Sequence, residues 1–383
     1  MNSSLSRASD ERRIRVLWVI KVLGPGGAEQ LLLSAARVHD HDRFDLECAF
    51  MIEDDPSFVA DVEHAGVPCH LVTEGRWGPF WPLRLRQLIA TGGFDVVHVH
   101  SPLPGSVARL AARSVRPSRR PETLTTEHCN RQSYHPLTRG VNRLTSRLDA
   151  ATVAVSDETL ASITGPTRSR AETLAHGIDL DAVRAHRSAR ADVREELGVS
   201  CDDIVVGTVS NFRKQKDYPN LLRAIGRAAA QDPRITCVSV GHGPLETEMA
   251  SLAERLGVSD RIQFLGRRRD ATRLMSGFDV FTLASRWEGL PVAMMEALSL
   301  GLPIVATRVG GVGEALGEEP LVRLVPPDDH IALSDAFNEV AADPKLRCEM
   351  ASRSEELADR FDIRRTVAHL EGIYERLVDG PAR

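Results

Sequence analysis

Short runs of β-branched and other apolar residues alternate along the chain with longer stretches whose apolar positions recur at helical spacing. Residues 14–20, 45–51, 95–100, 123–126 and 151–155 read as strands. A second series follows at 204–209, 235–240, 262–265, 280–283, 303–306 and 321–324. Between the two series lies a polar, arginine-rich stretch, 180–197, that reads as one helix. Strand and helix in alternation imply a parallel sheet covered on both faces. The pattern therefore predicts an α/β chain of two Rossmann-like, doubly wound domains facing across a cleft. The expected domains are 1–182 and 183–363, with a last helix in 364–383 packing back on the first domain.

Length agrees with that division, because 383 residues exceed what one hydrophobic core ordinarily supports. Apolar residues make up 42% and aromatic residues 5%, a composition that excludes a disordered or membrane-spanning chain. A net charge of -5 gives no global reason to expect a nucleic-acid partner. The distribution is uneven, however: residues 76–147 hold 12 Arg against Asp95, Glu122 and Glu127. Within that stretch Arg139, Arg143 and Arg147 form a helical stripe with Val141, Leu144 and Leu148 elsewhere on the helix, and Trp77, Phe80, Trp81 and Leu83 lie among Arg76, Arg84 and Arg86. Such a stretch suits either a solvated face or peripheral contact with an anionic membrane. The cysteines at 48, 69, 129, 201, 237 and 348 are scattered without metal-ligand spacing, which points to a reducing, cytoplasmic location. The first 13 residues are polar, and the apolar run after them is too short for a signal core or a span.

Candidate chemistry gathers where strands end. After the first strand, Gly24, Pro25, Gly26, Gly27, Ala28 and Glu29 lead into a helix, a turn that can present backbone N–H groups to an anion. A dinucleotide fingerprint needs a third glycine where this chain has Glu29, so a nicotinamide cofactor is disfavoured. His98 and His100 share one face of their strand, His98 reading as a core residue, and His128 lies just beyond the next strand. In the second series, Asn211, Arg213 and Lys216 follow the first strand, where Arg213 and Lys216 can grip one diphosphate. Gly241 and Gly243, and then Gly266, allow close backbone approach of the kind a planar base needs. The most specific segment runs Glu288, Gly289, Leu290, Pro291 and on to Glu296. With Pro291 in the first turn of a helix, Glu288 lies in the loop and Glu296 about 8 Å along the axis, with a phosphate-binding helix end between them. A glycine turn at Gly310 and Gly311 follows the next strand.

This order of residues resembles the retaining glycosyltransferases of family four, in the glycogen-synthase-like group with the GT-B fold. The resemblance covers nearly the whole chain. It implies that Glu288 and Glu296 are that family's paired glutamates, Lys216 its diphosphate lysine and His128 the histidine beside the reacting sugar. Gly26 and Gly27 match the loop that closes on the phosphates. Asn211 stands where the family usually has a diphosphate arginine, with Arg213 able to supply the charge, and His176 stands where an asparagine is common. The resemblance further implies a nucleoside-diphosphate-sugar donor, a sugar or lipid-linked acceptor, and no cofactor or metal. Asp179, Leu180 and Asp181 match a metal-binding pattern of another glycosyltransferase architecture, but they fall in the interdomain linker. Two other readings stay open: a phosphate-using sugar phosphorylase, against which Glu296 argues, and a non-catalytic binding subunit on the same fold.

Overall fold

The computed structural model describes residues 12–24, 26–73 and 78–380. Pro25 of the first glycine turn, and Arg76 and Trp77 of the basic stretch, lie outside them. In the first domain, β1 (Ile14–Leu23), β2 (Phe44–Glu53), β3 (Cys69–Leu71), β4 (Val96–Val99), β5 (Glu122–Glu127), β6 (Ala151–Ala154) and β7 (Ala171–Thr173) form a parallel sheet of order β3-β2-β1-β4-β5-β6-β7. In the second, β8 (Ile204–Val209), β9 (Ile235–Val240), β10 (Ile262–Phe264), β11 (Val280–Leu283), β12 (Ile304–Thr307) and β13 (Arg323–Val325) form another, of order β10-β9-β8-β11-β12-β13. Both orders reverse beside their first strand, between β1 and β4 and between β8 and β11, as in Rossmann folds.

Every stretch expected to be a strand is one. The strands missed, β3 and β7, lie at the edges of their sheet and, as Cys69-His70-Leu71 and Ala171-Glu172-Thr173 with no buried residue, present no apolar run. The expected single helix over 180–197 is broken. Helix Leu180–Arg184 gives way to a 3-10 turn, Ala185–Ala189, and then helix Arg190–Leu197, which ends on Gly198 at φ +65°.

The last helix, Ile363–Asp379, lies on the first domain. Its Ile363, Val367, Leu370, Ile373 and Tyr374 share a core with Val16, Trp18, Phe44 and Leu46. Where the chain leaves the second domain it runs beside the earlier linker: Ile178 N–H donates to the Phe361 carbonyl at 2.7 Å and Ile363 N–H to the Ile178 carbonyl at 2.9 Å. Inside, Trp18 Nε1 donates to the Tyr374 hydroxyl at 3.2 Å, and that hydroxyl bonds His98 Nδ1 at 2.7 Å.

The basic stretch is partly internal. Arg109 is wholly buried, bonding Asp149 (2.9 Å), Asn142 (2.7 Å), Thr145 (3.1 Å) and Thr125 (2.8 Å). Arg131 is buried against Glu127, 2.6 Å away. These two arginines belong to the core and add nothing to a surface field. Helix Pro136–Thr145 consequently turns its polar residues Asn142 and Thr145 inward and leaves Leu137, Val141 and Leu144 exposed. The leucine and valine expected to lie away from the arginines share the open surface with Arg139 and Arg143.

Tyr374→Phe should leave the Trp18 N–H and one His98 nitrogen buried without a partner, at a cost of about 2 kcal/mol or more. Hydrogen exchange of the β1 and β4 amides measures it; unchanged protection would show that the hydroxyl supports neither ring.

Candidate functional site

Parallel sheets present their strand carboxyl ends to one side, and here the two sets face each other. The loop after β11 carries Glu288, which is buried at 7% exposure. Its Oε1 accepts from Lys216 Nζ at 2.6 Å and from Ser285 Oγ at 2.5 Å, and its Oε2 accepts from Gln215 Nε2 at 3.1 Å. Ser285 is in turn tied to the β12 end, where Thr307 Oγ1 donates to its carbonyl at 2.6 Å. Lys216 closes a tight turn that delivers its ammonium into the cleft, with Lys216 N–H donating to the Arg213 carbonyl at 2.9 Å. Glu288 and Lys216, expected separately as site residues, thus form one ion pair, built from loops 72 residues apart.

The loop bearing Glu288 is fixed by close backbone approach. A Cβ on Gly289 would collide with the His128 carbonyl, one on Gly310 with the Glu288 carbonyl, and one on Gly311 with the Gly289 carbonyl. Gly310 also adopts φ +44°, and Gly311 N–H donates to the Gly289 carbonyl at 2.8 Å. Glycine is the residue that permits both the conformation and the distance.

Beyond this loop, Pro291 is the residue just before helix Val292–Ser299, at φ -71° and ψ 124°, and not in its first turn as expected; Leu290 precedes it, half-buried. The proline's extended backbone still aims the helix N-terminus at the cleft. Glu296 accepts from Thr272 Oγ1 at 2.9 Å, and burial among Met294, Met295, Ala297 and Leu298 pushes its pKa up to about 7. Facing this helix is the start of helix Gly27–Val38, with Gly27 beside Val292. Glu29, in its first turn, folds back on Gly26. Burial raises its pKa to about 7, with Asp54 adding to the rise and Arg213, reaching across from the second domain, opposing it. Asn211 and Arg213 are exposed on the loop after β8. Gly241 and Gly243 lie so close to the Ser210 to Phe212 backbone that a side chain on either would collide with it, so their close approach is to this loop.

His128 belongs to a cluster. The rings of His98 and His100 lie 4.1 Å apart, those of His100 and His128 5.5 Å, and those of His128 and His176 5.0 Å, nearly parallel. His98 has both nitrogens bonded, to Tyr374 and to Thr126 Oγ1 at 2.8 Å. Burial lowers every one of these pKa values, to about 3 for His98 and about 4 for His128. Asp179 instead caps helix Leu180–Arg184 through Ala182 N–H, and Asp181 pairs with Arg364 at 2.9 Å. Among the described residues no cluster of His, Cys, Asp or Glu is arranged to hold a metal ion.

Several contacts across the cleft escaped sequence reading. Glu314 accepts from Asp157 N–H at 2.7 Å and Glu158 N–H at 2.6 Å, so a side chain of the second domain caps a helix of the first. Arg267 pairs with Asp54 at 2.6 Å, and Arg269 with Asp61 at 3.1 Å. No local spacing signals such pairs, because their partners come from different domains.

Residues 25–182 match the family described as Glycosyltransferase Family 4, and residues 189–357 match the family described as Glycosyl transferases group 1. The chain belongs to the family 4 glycosyltransferases with the GT-B fold. Among relatives of this glycosyltransferase, the protein named glycosyltransferase EpsD of Bacillus subtilis is 26% identical over 77% of this chain and 80% of its own. The D-inositol 3-phosphate glycosyltransferase of Saccharomonospora viridis is 33% identical over 53% of this chain and 49% of its own. The solved structure of Anabaena HepE, in complex with UDP and glucose, is 21% identical and superposes on 95% of this chain and 100% of that one with a TM-score of 0.84. That superposition fixes the fold.

The cluster predicts how stability depends on pH. The unfolded chain protonates its histidines below about pH 6.5, whereas the folded enzyme resists, so their contribution is full above that pH and is lost as pH falls toward the folded values. Glu29 and Glu296 act in the opposite sense: the folded enzyme binds their protons first, so the stability they remove near pH 7 returns as pH falls to about 4.5. His39 is lowered like the four rings, and Glu371 and Asp149 are raised like Glu29 and Glu296. The lowered histidines outnumber the raised carboxyls, so the melting temperature should fall between about pH 6.5 and 4.5. A flat or rising melting temperature over that interval would show that the rings are already charged.

Proposed function

We propose that the enzyme transfers a glycosyl unit from a nucleoside-diphosphate sugar to an acceptor hydroxyl with retention of configuration, without a metal. The observation that carries this reading is the Glu288 and Lys216 pair set beside the N-terminus of helix Val292–Ser299. Lys216, Arg213 and that helix end supply positive charge for a departing diphosphate, in place of a divalent cation. Gly26 and Gly27 bring a second helix N-terminus to the same space, and Asn211 borders it. Glu296, on the helix that follows the Glu288 loop, is the carboxylate for a ribose diol, and His128 and Glu288 orient the sugar. The HepE structures hold UDP and UDP-glucose, which supports a nucleotide donor of this kind.

Retention by front-face attack suits the state of Glu288. Both of its oxygens are engaged, by Lys216 and Ser285 on one side and Gln215 on the other, and a carboxylate so occupied is a poor covalent nucleophile. The leaving diphosphate is then the base that accepts the proton of the acceptor hydroxyl.

The acceptor side is read from helices Trp81–Thr91, Pro102–Ser114 and Pro136–Thr145, which pack side by side. They expose Leu83, Leu110, Leu137 and Leu144 together with Arg86, Arg113, Arg139 and Arg143. We propose that this face rests on an anionic membrane, the leucines entering the interface and the arginines meeting headgroups. No helix among the described residues is long and apolar enough to cross a bilayer. A lipid-linked acceptor would be met from such a face.

Glu288→Ala and Lys216→Ala should each lower turnover about a hundredfold, as loss of a preorganised charge contact does, and EDTA should leave the wild type unchanged. NMR of the product should show the donor's anomeric configuration. Near-normal turnover in both variants would remove the site, and calorimetry showing no binding of UDP, GDP or ADP would remove the nucleotide donor.

For the membrane face, sedimentation with phosphatidylglycerol vesicles at low salt should carry down the wild type but not a Leu137→Ser, Leu144→Ser, Arg139→Glu variant. Equal behaviour of the two would discard the contact.

A further inference from the structure

The hydrogen bonds behind His128 have a direction. Trp18 Nε1 can only donate, and its partner is the Tyr374 hydroxyl at 3.2 Å. The hydroxyl proton is then available for His98 Nδ1, 2.7 Å away, which leaves His98 Nε2–H to donate to Thr126 Oγ1 at 2.8 Å. His98 is thereby closed to other traffic.

His100 is not closed. Its Nδ1 meets His128 Nε2 at 3.2 Å, while its own Nε2 is buried with no hydrogen-bond partner among the described residues. His176 Nε2 is likewise buried and unpartnered, and both rings line one small cavity of about 20 Å³ whose wall of Trp18, Leu31, Leu32, Ile363 and Leu370 is almost wholly apolar, the kind of cavity that stays dry. Burial among Trp18, Leu31 and the other rings holds each histidine neutral near pH 7, Glu127 beside His128 being the one neighbour that favours charge there. Each ring therefore has one proton to place. A buried N–H without an acceptor is rarer and costlier than a bare acceptor. Placing the His100 proton on Nδ1 leaves only a lone pair on its buried side, makes His100 the donor, and makes His128 Nε2 the acceptor.

We infer that His100 is a positioning residue that sets the tautomer of His128, so that the nitrogen His128 has left for the cleft is an Nδ1–H donor. An N–H suits an anionic phosphate oxygen as well as a sugar hydroxyl oxygen; the opposite tautomer would offer a lone pair that a hydroxyl can donate to but that a phosphate oxygen repels. His176, stacked at 5.0 Å on the His128 face, holds the ring in this plane. The inference rests on the reading that His128 faces the reacting sugar.

The test is nitrogen NMR of the full chain labelled with 15N-histidine, with the His128 signals assigned by their loss in His128→Gln. The wild type should show His128 Nδ1 protonated and Nε2 bare. His100→Asp, whose carboxylate can only accept from nearly the same point, should draw the proton onto His128 Nε2, whereas His100→Asn, whose amide can donate there, should keep Nδ1–H. In steady-state assays with an NDP-sugar, His100→Asp should lower kcat about tenfold or more with donor KM little changed, as a wrongly oriented partner does, and His100→Asn should keep most of the turnover. A wild-type His128 protonated on Nε2 overturns the inference, whatever the variants do. The Nδ1–H tautomer together with full turnover in His128→Ala would uphold the inference and refute the placement of His128 at the sugar.

Discussion

The carbonyl of His128 lies against the α-carbon of Gly289, and the carbonyls of Glu288 and Gly289 lie against Gly310 and Gly311. Three backbone segments from two domains are stacked at distances that leave no space for a side chain. This stacking sets the height of the Glu288 loop over the β11 end, and from that height follow the Lys216 ion pair and the aim of helix Val292–Ser299. It also ties the two domains at the level of the reacting groups, because His128 belongs to the first and Gly289 to the second. Any larger residue at Gly289 would move the carboxylate and the interdomain distance together.

The charges around this stack are paired among themselves. Lys216 is held by Glu288, Arg286 by Asp217 at 2.8 Å, and Arg267 by Asp54 at 2.6 Å. Glu29 and Glu296 are the carboxyls that burial leaves near half-protonation at neutral pH. A polyanionic ligand entering such a site exchanges partners with groups already in place, so the cost of ordering them has been met in folding. The same economy holds in the core of the first domain, where Arg109 with Asp149 and Arg131 with Glu127 are satisfied internally. A count of arginines along the sequence records them as surface charge; their burial depends on partners as distant as residue 149.

The alternation of strand and helix was legible because a parallel sheet buries both faces and its strands are continuous apolar runs. The edge strands β3 and β7, with the sequences Cys69-His70-Leu71 and Ala171-Glu172-Thr173 and no buried residue, carry no such run. Polar residues at strand ends were legible as cleft residues for a topological reason, and the Glu288 to Glu296 segment was specific because loop, helix end and carboxylate fall in a fixed order. The pairing of Glu288 with Lys216 was not legible, since nothing local relates residues 72 apart. The contacts of Glu314 and His176 were not legible for the same cause: the first caps a helix of the other domain, and the second is brought to His128 by a turn in the linker. The facing of helix Pro136–Thr145 was not legible, because its inward residues, Asn142 and Thr145, are polar and leave no apolar stripe to mark the buried side.

The two segments that join the domains run side by side, bonded at Ile178, Phe361 and Ile363, with Gly177 pressed on the backbone of Asp362 and Ile363. A single strand of chain would act as a swivel, free to twist in every sense. Two strands locked together act as a door hinge: one rotation is easy, and sliding or twisting of one domain over the other is resisted. Opening the cleft would then part the Gly289 and His128 backbones along a single arc, and closing it would return them to the same register each time.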